Sequence, residues 1–506
     1  MISTSSNKLD SASQRAAWWP WIFILVLGII CALAISRESF WIDELYTPRA
    51  AEQPTLTAWW KEVFYEKGSN LQAPLYMLWI WVCGQIFGTS ELALRAVNLL
   101  WFAPALLALT QALVSRPTLQ TTALLTTAMG PMTWYYLNEA RPYAMQLGTS
   151  LYLFAVIIHW RLHPDAAITR ERWRVLSFAT ALVLLCGSSL LAMILAAAPL
   201  FTVLVMLPLN QLRALGRTFL AVWAVTLTVL FCMGVYYLWT LHQGARATSL
   251  ATTNLKNLAF IAYELLGFDG LGPGRLEIRS GGLSVFKVFM PVLVFYAGVT
   301  AILLFFGGQE LWRKMGAKKL AAILLAALAP AGFIFATGAL VHFRVLGRHM
   351  MCLAPLVFLL LAVGAAATWR RRRWGKITVT VFFTLYFTSS LALRFASRHQ
   401  KDDYRGAAAI AKRAIASGKS VWWNAEQNGA VYYQVPFSTG NTMERGKAYY
   451  LMNPSEDQLT ATTPPDLIIT SRPDVYDGDG ALGKYLSEGN YRTTSNLTAF
   501  VIWKRE

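Results

Sequence analysis

Apolar residues in this chain come in blocks of about 20, the length of α-helix that crosses the hydrocarbon core of a bilayer. Such blocks lie at 16–35, 92–114, 118–137, 142–160, 175–190, 190–208, 218–240, 287–307, 320–340, 350–369 and 376–397, with a shorter one at 74–88. Charge is scarce to match: Asp, Glu, Lys and Arg make up 14% of the 506 residues and hydrophobic types 56%. A soluble chain carries roughly 25% charged residues, enough to cover its surface. A soluble enzyme, a disordered chain and a fibrous protein are therefore excluded. The fold class is an all-α polytopic membrane protein.

The net charge of +18, from 45 basic and 27 acidic residues, would suggest nucleic acid in a soluble protein. Here the basic residues fall in short gaps between apolar blocks: Arg370 to Arg373, Lys314/Lys318/Lys319, Arg213/Arg217 and Arg170/Arg172/Arg174. That is the positive-inside pattern, and no basic surface interleaved with aromatics is visible for nucleic acid. Taking these gaps as cytoplasmic sets residues 36–73, 137–142, 241–286, 341–349 and 398–506 on the external face. The polar stretch 1–15 reads as a disordered cytoplasmic tail. The block at 16–35, with Trp18, Trp19 and Trp21, reads as an uncleaved anchor. The block at 74–88 is too short to span, so it reads as a re-entrant or interfacial helix, leaving 11 spans, or 13 with one missed break.

Three domains follow: the tail 1–15, a transmembrane catalytic domain 16–397 with external loops 36–73 and 241–286, and an external α/β domain 398–506. The last shows a helix-like stretch from Arg405 to Ser417 and strand-like runs at Ser420–Asn424, Leu467–Thr470 and Ala499–Trp503. Trp422-Trp423 within it reads as packing rather than sugar stacking. The five cysteines (Cys31, Cys83, Cys186, Cys232 and Cys352) lie inside apolar segments and read as small buried apolar residues.

Three short motifs on the external face could carry chemistry. Asp43 and Glu44, in Trp41-Ile42-Asp43-Glu44-Leu45, are adjacent acids at the membrane surface, where desolvation suits a carboxyl to base work. The turn Asn138-Glu139-Ala140-Arg141-Pro142-Tyr143 holds the only charges between Arg116 and Arg161. It puts Arg141 at a helix amino terminus, where an anion meets both a guanidinium and the helix dipole. Arg344 and Arg348 open a span at the external boundary, against the positive-inside bias. Gln72-Ala73-Pro74-Leu75-Tyr76 is a fourth element. Together these suit a lipid-linked phosphate substrate, with arginines on the phosphate and a carboxylate deprotonating an acceptor hydroxyl. A transporter or flippase of such lipids is the alternative. It calls for charges at mid-membrane depth and related halves, and neither pattern is visible.

These motifs resemble those of the C-type glycosyltransferases that use polyprenyl-phosphate sugars, a group including protein O-mannosyltransferases and lipid A aminoarabinose transferases. Trp41-Ile42-Asp43-Glu44-Leu45 looks like their acidic motif. Gln72-Ala73-Pro74-Leu75-Tyr76 is similar to their His-Pro-Pro-Leu-Tyr stretch, and Glu139 to Ala144 to their Glu-Ala-Arg-Pro-Tyr-Ala turn. Gly347-Arg348-His349 with Pro355 resembles their Arg-Tyr-Leu-Leu-Pro helix start. The chain departs where Gln72 and Ala73 stand for His-Pro and His349 for Tyr.

The resemblance implies an inner-membrane enzyme of a bacterium, with its site on the periplasmic face. Asp43 would be the base, Glu44 would orient it or the acceptor, and Glu139 would lie near the sugar. Arg141, Arg348 and Arg344 would hold the donor phosphate, with Gln72, Tyr76, Tyr143 and His349 lining the substrates. Transfer would invert the anomeric carbon. The acceptor would be a lipid, a protein or a polysaccharide. No cofactor and no metal ligand set is expected; oligosaccharyltransferases of this superfamily do use a divalent ion, and the same acids are the residues that would bind one.

Overall fold

The computed structural model describes residues 22–66, 68, 70–163, 168–207, 216–243, 252–439 and 443–506. The expected tail 1–15, the tryptophans Trp18, Trp19 and Trp21, and Arg213 lie outside the described residues.

Among the described residues, five stretches are long and apolar enough to cross a membrane: Glu91–Ala112, Leu220–His242, Arg275–Leu340, Gly347–Trp369 and Arg373–Phe395. Shorter apolar helices run over Ile22–Ala32, Pro74–Phe87 and Leu190–Met206. The remaining expected blocks form helices that are more polar or broken. Tyr143–Leu162 includes Gln146, Thr149 and Ser150, all buried among other helices, where lipid never sees them. The Arg275–Leu340 stretch is interrupted at Gly316, whose φ of 78° is non-helical, inside the lysine-rich gap between two expected spans. The gap expected at 170–174 is instead helical, part of Ile168–Ser188, since arginine is a good helix former and the helix outruns its apolar core.

Large apolar side chains on the outer faces meet no protein. Leu220, Val225, Leu227, Phe231, Val235 and Leu238 are all exposed along one helix, the surface a lipid environment would cover. Cys232 lies on this same helix and is exposed, whereas the other four cysteines are buried as expected. A helix bordering lipid is apolar all round, so an apolar context does not tell which of its residues face inward.

Two breaks in the expected blocks shape the site. The block at 92–114 is Glu91–Ala96 and Leu99–Ala112, parted at Asn98, whose side chain donates to the carbonyls of Leu137 (3.1 Å) and Glu139 (2.7 Å). The block at 118–137 is Pro117–Ala128 and Pro131–Leu137, parted where Pro131 has no N–H to continue the ladder. The first break lies beside the turn at 138–141, and the second faces Gly267, where a Cβ would lie 2.8 Å from Pro131.

The carboxy-terminal region forms a five-stranded sheet in the order β2-β1-β3-β5-β4, with β1 at Val421–Asn424, β2 at Ala448–Tyr450, β3 at Leu467–Ser471, β4 at Tyr491–Leu497 and β5 at Phe500–Arg505. β2, β1 and β3 are parallel, while β5 pairs antiparallel with both β3 and β4. The Tyr404–Ala416 helix, capped by the Asp403 side chain, covers the sheet with Tyr404, Ala407, Ala408 and Ala411. Trp422 and Trp423 are both fully buried, one on each face of β1 as the alternation of a strand requires.

This sheet is not tethered loosely. Phe40 and Leu45 from the first loop share one apolar core with Tyr404, Trp423 and Ala430. The Tyr433 hydroxyl accepts from the Phe40 N–H (3.0 Å) and donates to Glu91 (2.7 Å). At Gly429 a Cβ would lie 2.3 Å from the Tyr404 ring and 2.8 Å from Leu45, so only glycine permits the approach.

Candidate active site

The site grows from a buried ion pair. Arg95 and Glu44 are both wholly buried, and the Arg95 guanidinium donates to the two Glu44 oxygens at 3.0 and 2.7 Å. The rest of the guanidinium is wrapped by the loop before Asp43, through the carbonyls of Ser36 (3.2 Å), Glu38 (2.7 Å) and Ser39 (3.2 Å). Glu44 also accepts from the Ala140 N–H at 2.7 Å and from Lys401 at 2.9 Å. One carboxylate thus joins the first loop, the 138–141 turn and the lead-in to the sheet. Burial alone would raise its pKa, but Arg95 and Lys401 outweigh burial and bring it down to about 2.

Its neighbour points elsewhere. Asp43 is partly exposed and lies 2.6 Å from the Arg348 guanidinium. It forms part of the wall of a cavity of about 700 Å³. Burial pushes this carboxyl up, yet Arg348, Arg141 and Arg472 prevail and hold it below the usual carboxylate range. The cavity wall carries eight lysines and arginines against five acids. Trp41, Tyr135, Tyr136, Phe260 and Tyr263 supply its aromatic surface.

Two loops complete the wall. Glu264 pairs with Arg275 at 3.0 Å and accepts from the Gly347 N–H at 2.9 Å, which fixes the start of the 3-10 turn bearing Arg348. At Gly347 a Cβ would come within 2.1 Å of the Glu264 carboxylate, so the contact needs glycine. Arg275 stacks over Tyr135 with 4.3 Å to the ring centroid. The loop from Gly267 to Gly274 lies against the end of the Arg373–Phe395 helix and its extension, where Arg398 donates to the carbonyls of Gly270 and Gly272 at 3.0 Å each. Within that loop burial pushes the Asp269 carboxyl up to about 7, helped by nearby Glu264.

The predicted residues divide by position. Asp43, Arg344 and Arg348 line the cavity. Arg141 is buried just behind, its guanidinium on Asn70 at 2.8 Å. Tyr143 packs edge-on to Tyr136, 5.0 Å between centroids. Glu139 is fully buried with neither carboxylate oxygen hydrogen-bonded, and burial pushes its carboxyl up while Lys401 opposes. Tyr76 is buried in the apolar core beside the turn. Gln72 gives its carbonyl to the Leu190 N–H (3.1 Å) and lies away from the cavity wall, and the His349 ring accepts from the Leu346 N–H (3.0 Å).

Sequence reasoning missed Arg95, Lys401, Glu264, Asp269, Arg275, Arg398 and Arg472. Arg95 had a signal: an arginine inside an apolar block is costly unless it is paired, and so marks a functional region. Lys401 stands in the short polar stretch between the last apolar block and the carboxy-terminal helix, where nothing in its spacing singles it out. Among the described residues, no group of three His, Cys, Asp or Glu converges as a metal site.

No protein-family model matches the chain, and no curated protein matches it. Solved structures do resemble it in backbone course. One is ArnT from Cupriavidus metallidurans bound to undecaprenyl phosphate, at 14% identity and a TM-score of 0.49, covering 96% of this chain and 98% of that one. Another is the archaeal oligosaccharyltransferase AglB from Archaeoglobus fulgidus, in complex with an inhibitory peptide and a dolichol-phosphate. It shows 10% identity and a TM-score of 0.45, covering 96% of this chain and 74% of that one. A third is the arabinofuranosyltransferase AftD from Mycobacteria, at 12% identity and a TM-score of 0.45, covering 96% and 40%.

Proposed function

We propose that this chain is an integral-membrane glycosyltransferase that moves a sugar from a polyprenyl-phosphate donor to an acceptor hydroxyl. The reaction takes place at the face where residues 36–73, 241–286 and 398–506 collect, the periplasmic side of a bacterial inner membrane. The observation that carries the reading is the Asp43–Arg348 pair, 2.6 Å apart in the wall of a cation-rich cavity of about 700 Å³. An ionised carboxylate and a phosphate-binding fork there share one contact.

That sharing gives the order of events. A donor phosphate competes with Asp43 for Arg348, because a guanidinium pairs at least as well with phosphate as with carboxylate. Once Arg348 turns to the phosphate, Asp43 loses its nearest counter-charge and its basicity rises. It then takes the proton of the acceptor hydroxyl. The acceptor oxygen bonds to the anomeric carbon, and the bond from that carbon to the phosphate oxygen breaks with its electron pair. Inversion follows from this single displacement. Arg348, with Arg344 and the nearby Arg141, neutralises the polyprenyl phosphate that leaves. Glu44 does not touch substrate in this scheme. Its oxygens are occupied by Arg95, Lys401 and the Ala140 N–H, so it positions Asp43 and is closed to a divalent ion as well.

The test is a panel of polyprenyl-phosphate-linked sugars incubated with purified wild type and Asp43→Asn. Wild type is expected to release polyprenyl phosphate from at least one donor and Asp43→Asn from none, with both proteins folded. If no donor is consumed and none raises the melting temperature, the reading is wrong.

A further inference from the structure

The loop after β3 carries an arginine to the cavity from the sheet side. Arg472 has φ 45° and ψ 68°, the left-handed region. A residue with a Cβ is strained there, and such strain gathers at functional sites. Its guanidinium pairs with Asp402, both side chains being largely buried, and its Nε has no hydrogen-bond partner. Two residues on, Asp474 pairs with Arg279 at 2.6 Å. Arg472, Asp402 and Asp474 all form part of the wall that also holds Asp43 and Arg348.

Docking alone does not account for this. The sheet is already fixed to the first loop by a shared apolar core and by Tyr433. A further ion pair on relaxed backbone would serve as well as one on strained backbone. What the strained geometry adds is the place of the charge, in the cavity wall that also holds Asp43. We infer that Arg472 is a positioning residue of the active site, supplied by the sheet domain to keep Asp43 ionised and oriented when the donor phosphate draws Arg348 away. The inference rests on the reading of Asp43 as the base.

The groups facing Asp43 are few. Arg344, Arg348 and His349 come from the segment that opens the Gly347–Trp369 helix, Arg141 and Tyr143 from the turn, and Arg472 with Asp402 from the sheet side. Of the cations, Arg344, Arg348 and Arg141 are those assigned to phosphate. Among the described residues, Arg472 is the further cation that acts on Asp43 and is not assigned to phosphate.

The experiment uses the full chain in lipid nanodiscs and follows the Asp43 carboxyl directly. Infrared spectra of each protein minus its Asp43→Asn counterpart, recorded against pH, give the midpoint for that group without any turnover. Arg472→Gln is expected to raise the midpoint by roughly 1 pH unit, the scale of one nearby guanidinium. Arg472→Lys should restore it. Asp402→Asn removes a negative charge and should lower the midpoint, a shift of opposite sign. A pair that merely staples the domain predicts that Arg472→Gln and Asp402→Asn both lower the melting temperature and neither moves the midpoint. That result, or shifts of the same sign, would overturn the inference. Release of polyprenyl phosphate from undecaprenyl-phosphate-linked hexoses and pentoses is measured on the same samples. Silence of the wild type there would remove the glycosyltransferase reading, while the infrared midpoints still decide whether Arg472 sets Asp43.

Discussion

Replacing Glu44 by Gln asks how much one buried carboxylate holds together. Gln keeps the shape but offers one acceptor oxygen, so at most half of the contacts to Arg95, Lys401 and the Ala140 N–H survive. Its amide also turns donors toward two cations. Arg95 and Lys401 are left uncompensated, and breaking a buried ion pair from one side costs about 3–5 kcal/mol. A second route gives a similar size. The carboxyl titrates at about 2 in the folded chain against 4.5 for the free group. At about 1.4 kcal/mol per unit, that difference stabilises the fold by about 3 kcal/mol.

The sign follows from the depressed value: the stabilisation is complete above the unfolded pKa and is lost as pH falls through the folded one. Between pH 7 and pH 3 the advantage of wild type over Glu44→Gln should therefore shrink from about 3 to about 1 kcal/mol. The assay is intrinsic-fluorescence melting of both proteins in the same detergent at pH 7, 5, 4 and 3. Equal melting temperatures at pH 7, or a gap that widens on acidification, would refute the account of Glu44 as the joint between loop, turn and sheet. Asp43→Asn, one residue along the chain, removes a partly exposed carboxylate, so it should lower the melting temperature less than Glu44→Gln at pH 7, and its effect should likewise shrink in acid.

Three further outcomes follow from the same geometry. Asp269, with a carboxyl near pH 7 in the folded state, loses stability as pH rises from about 4 through 7. Asp269→Asn should therefore raise the melting temperature more at pH 8 than at pH 5, and an equal effect at both would contradict it. Gly270→Ala puts a Cβ 1.9 Å from the Ser389 carbonyl oxygen and should destabilise by about 1–3 kcal/mol or more, whereas Gly478→Ala, with nothing nearer than 3.6 Å, should be close to neutral in the same melts. Arg348→Lys keeps the charge but loses the fork, so the donor KM should rise by roughly tenfold, about the worth of one charge-assisted hydrogen bond, in a turnover assay.

The broad architecture was legible because it rests on strong periodic signals. Blocks of apolar residues became helices. Of the five strands, β1, β3 and β5 fall on the runs Ser420–Asn424, Leu467–Thr470 and Ala499–Trp503. β2 has three residues and β4 is mostly exposed on the sheet edge, so neither carries an alternating apolar pattern. The site was legible as far as single motifs reach. Asp43, Arg141, Arg344 and Arg348 come together from three separate segments, because the topology collects their loops at one end of the helices. The other wall could not be read this way. Glu264 and Arg275 sit at the helix ends that flank the glycine-rich loop holding Asp269; Glu264 meets Gly347 83 residues on, the loop meets Ser389 from Gly270 119 residues on, and Arg472 lies in another domain of the sequence. Their roles come from pairings over distance, which spacing along the chain does not encode.

Asp43 and Glu44 show the limit most directly. In the sequence they are interchangeable, two acids in one turn beside Trp41. In the fold Glu44 is sealed among Arg95, Lys401 and a backbone N–H with no exposed oxygen, and Asp43 stands in the cavity wall against Arg348. The longer side chain reaches back across the turn to the buried arginine. The shorter one has only the cavity to face. Nothing in the acids themselves assigns these roles; Arg95, an arginine in an apolar block that cannot remain unpaired, decides them by claiming the residue that can reach it. On the proposed mechanism Asp43 can act as the base because the neighbouring carboxylate is already paired. Two free carboxylates side by side would have repelled each other and raised one another's pKa. In the proposed mechanism the buried pair therefore acts without touching a substrate, by holding the turn in place and leaving Asp43 as the one of the two adjacent acids that faces the cavity.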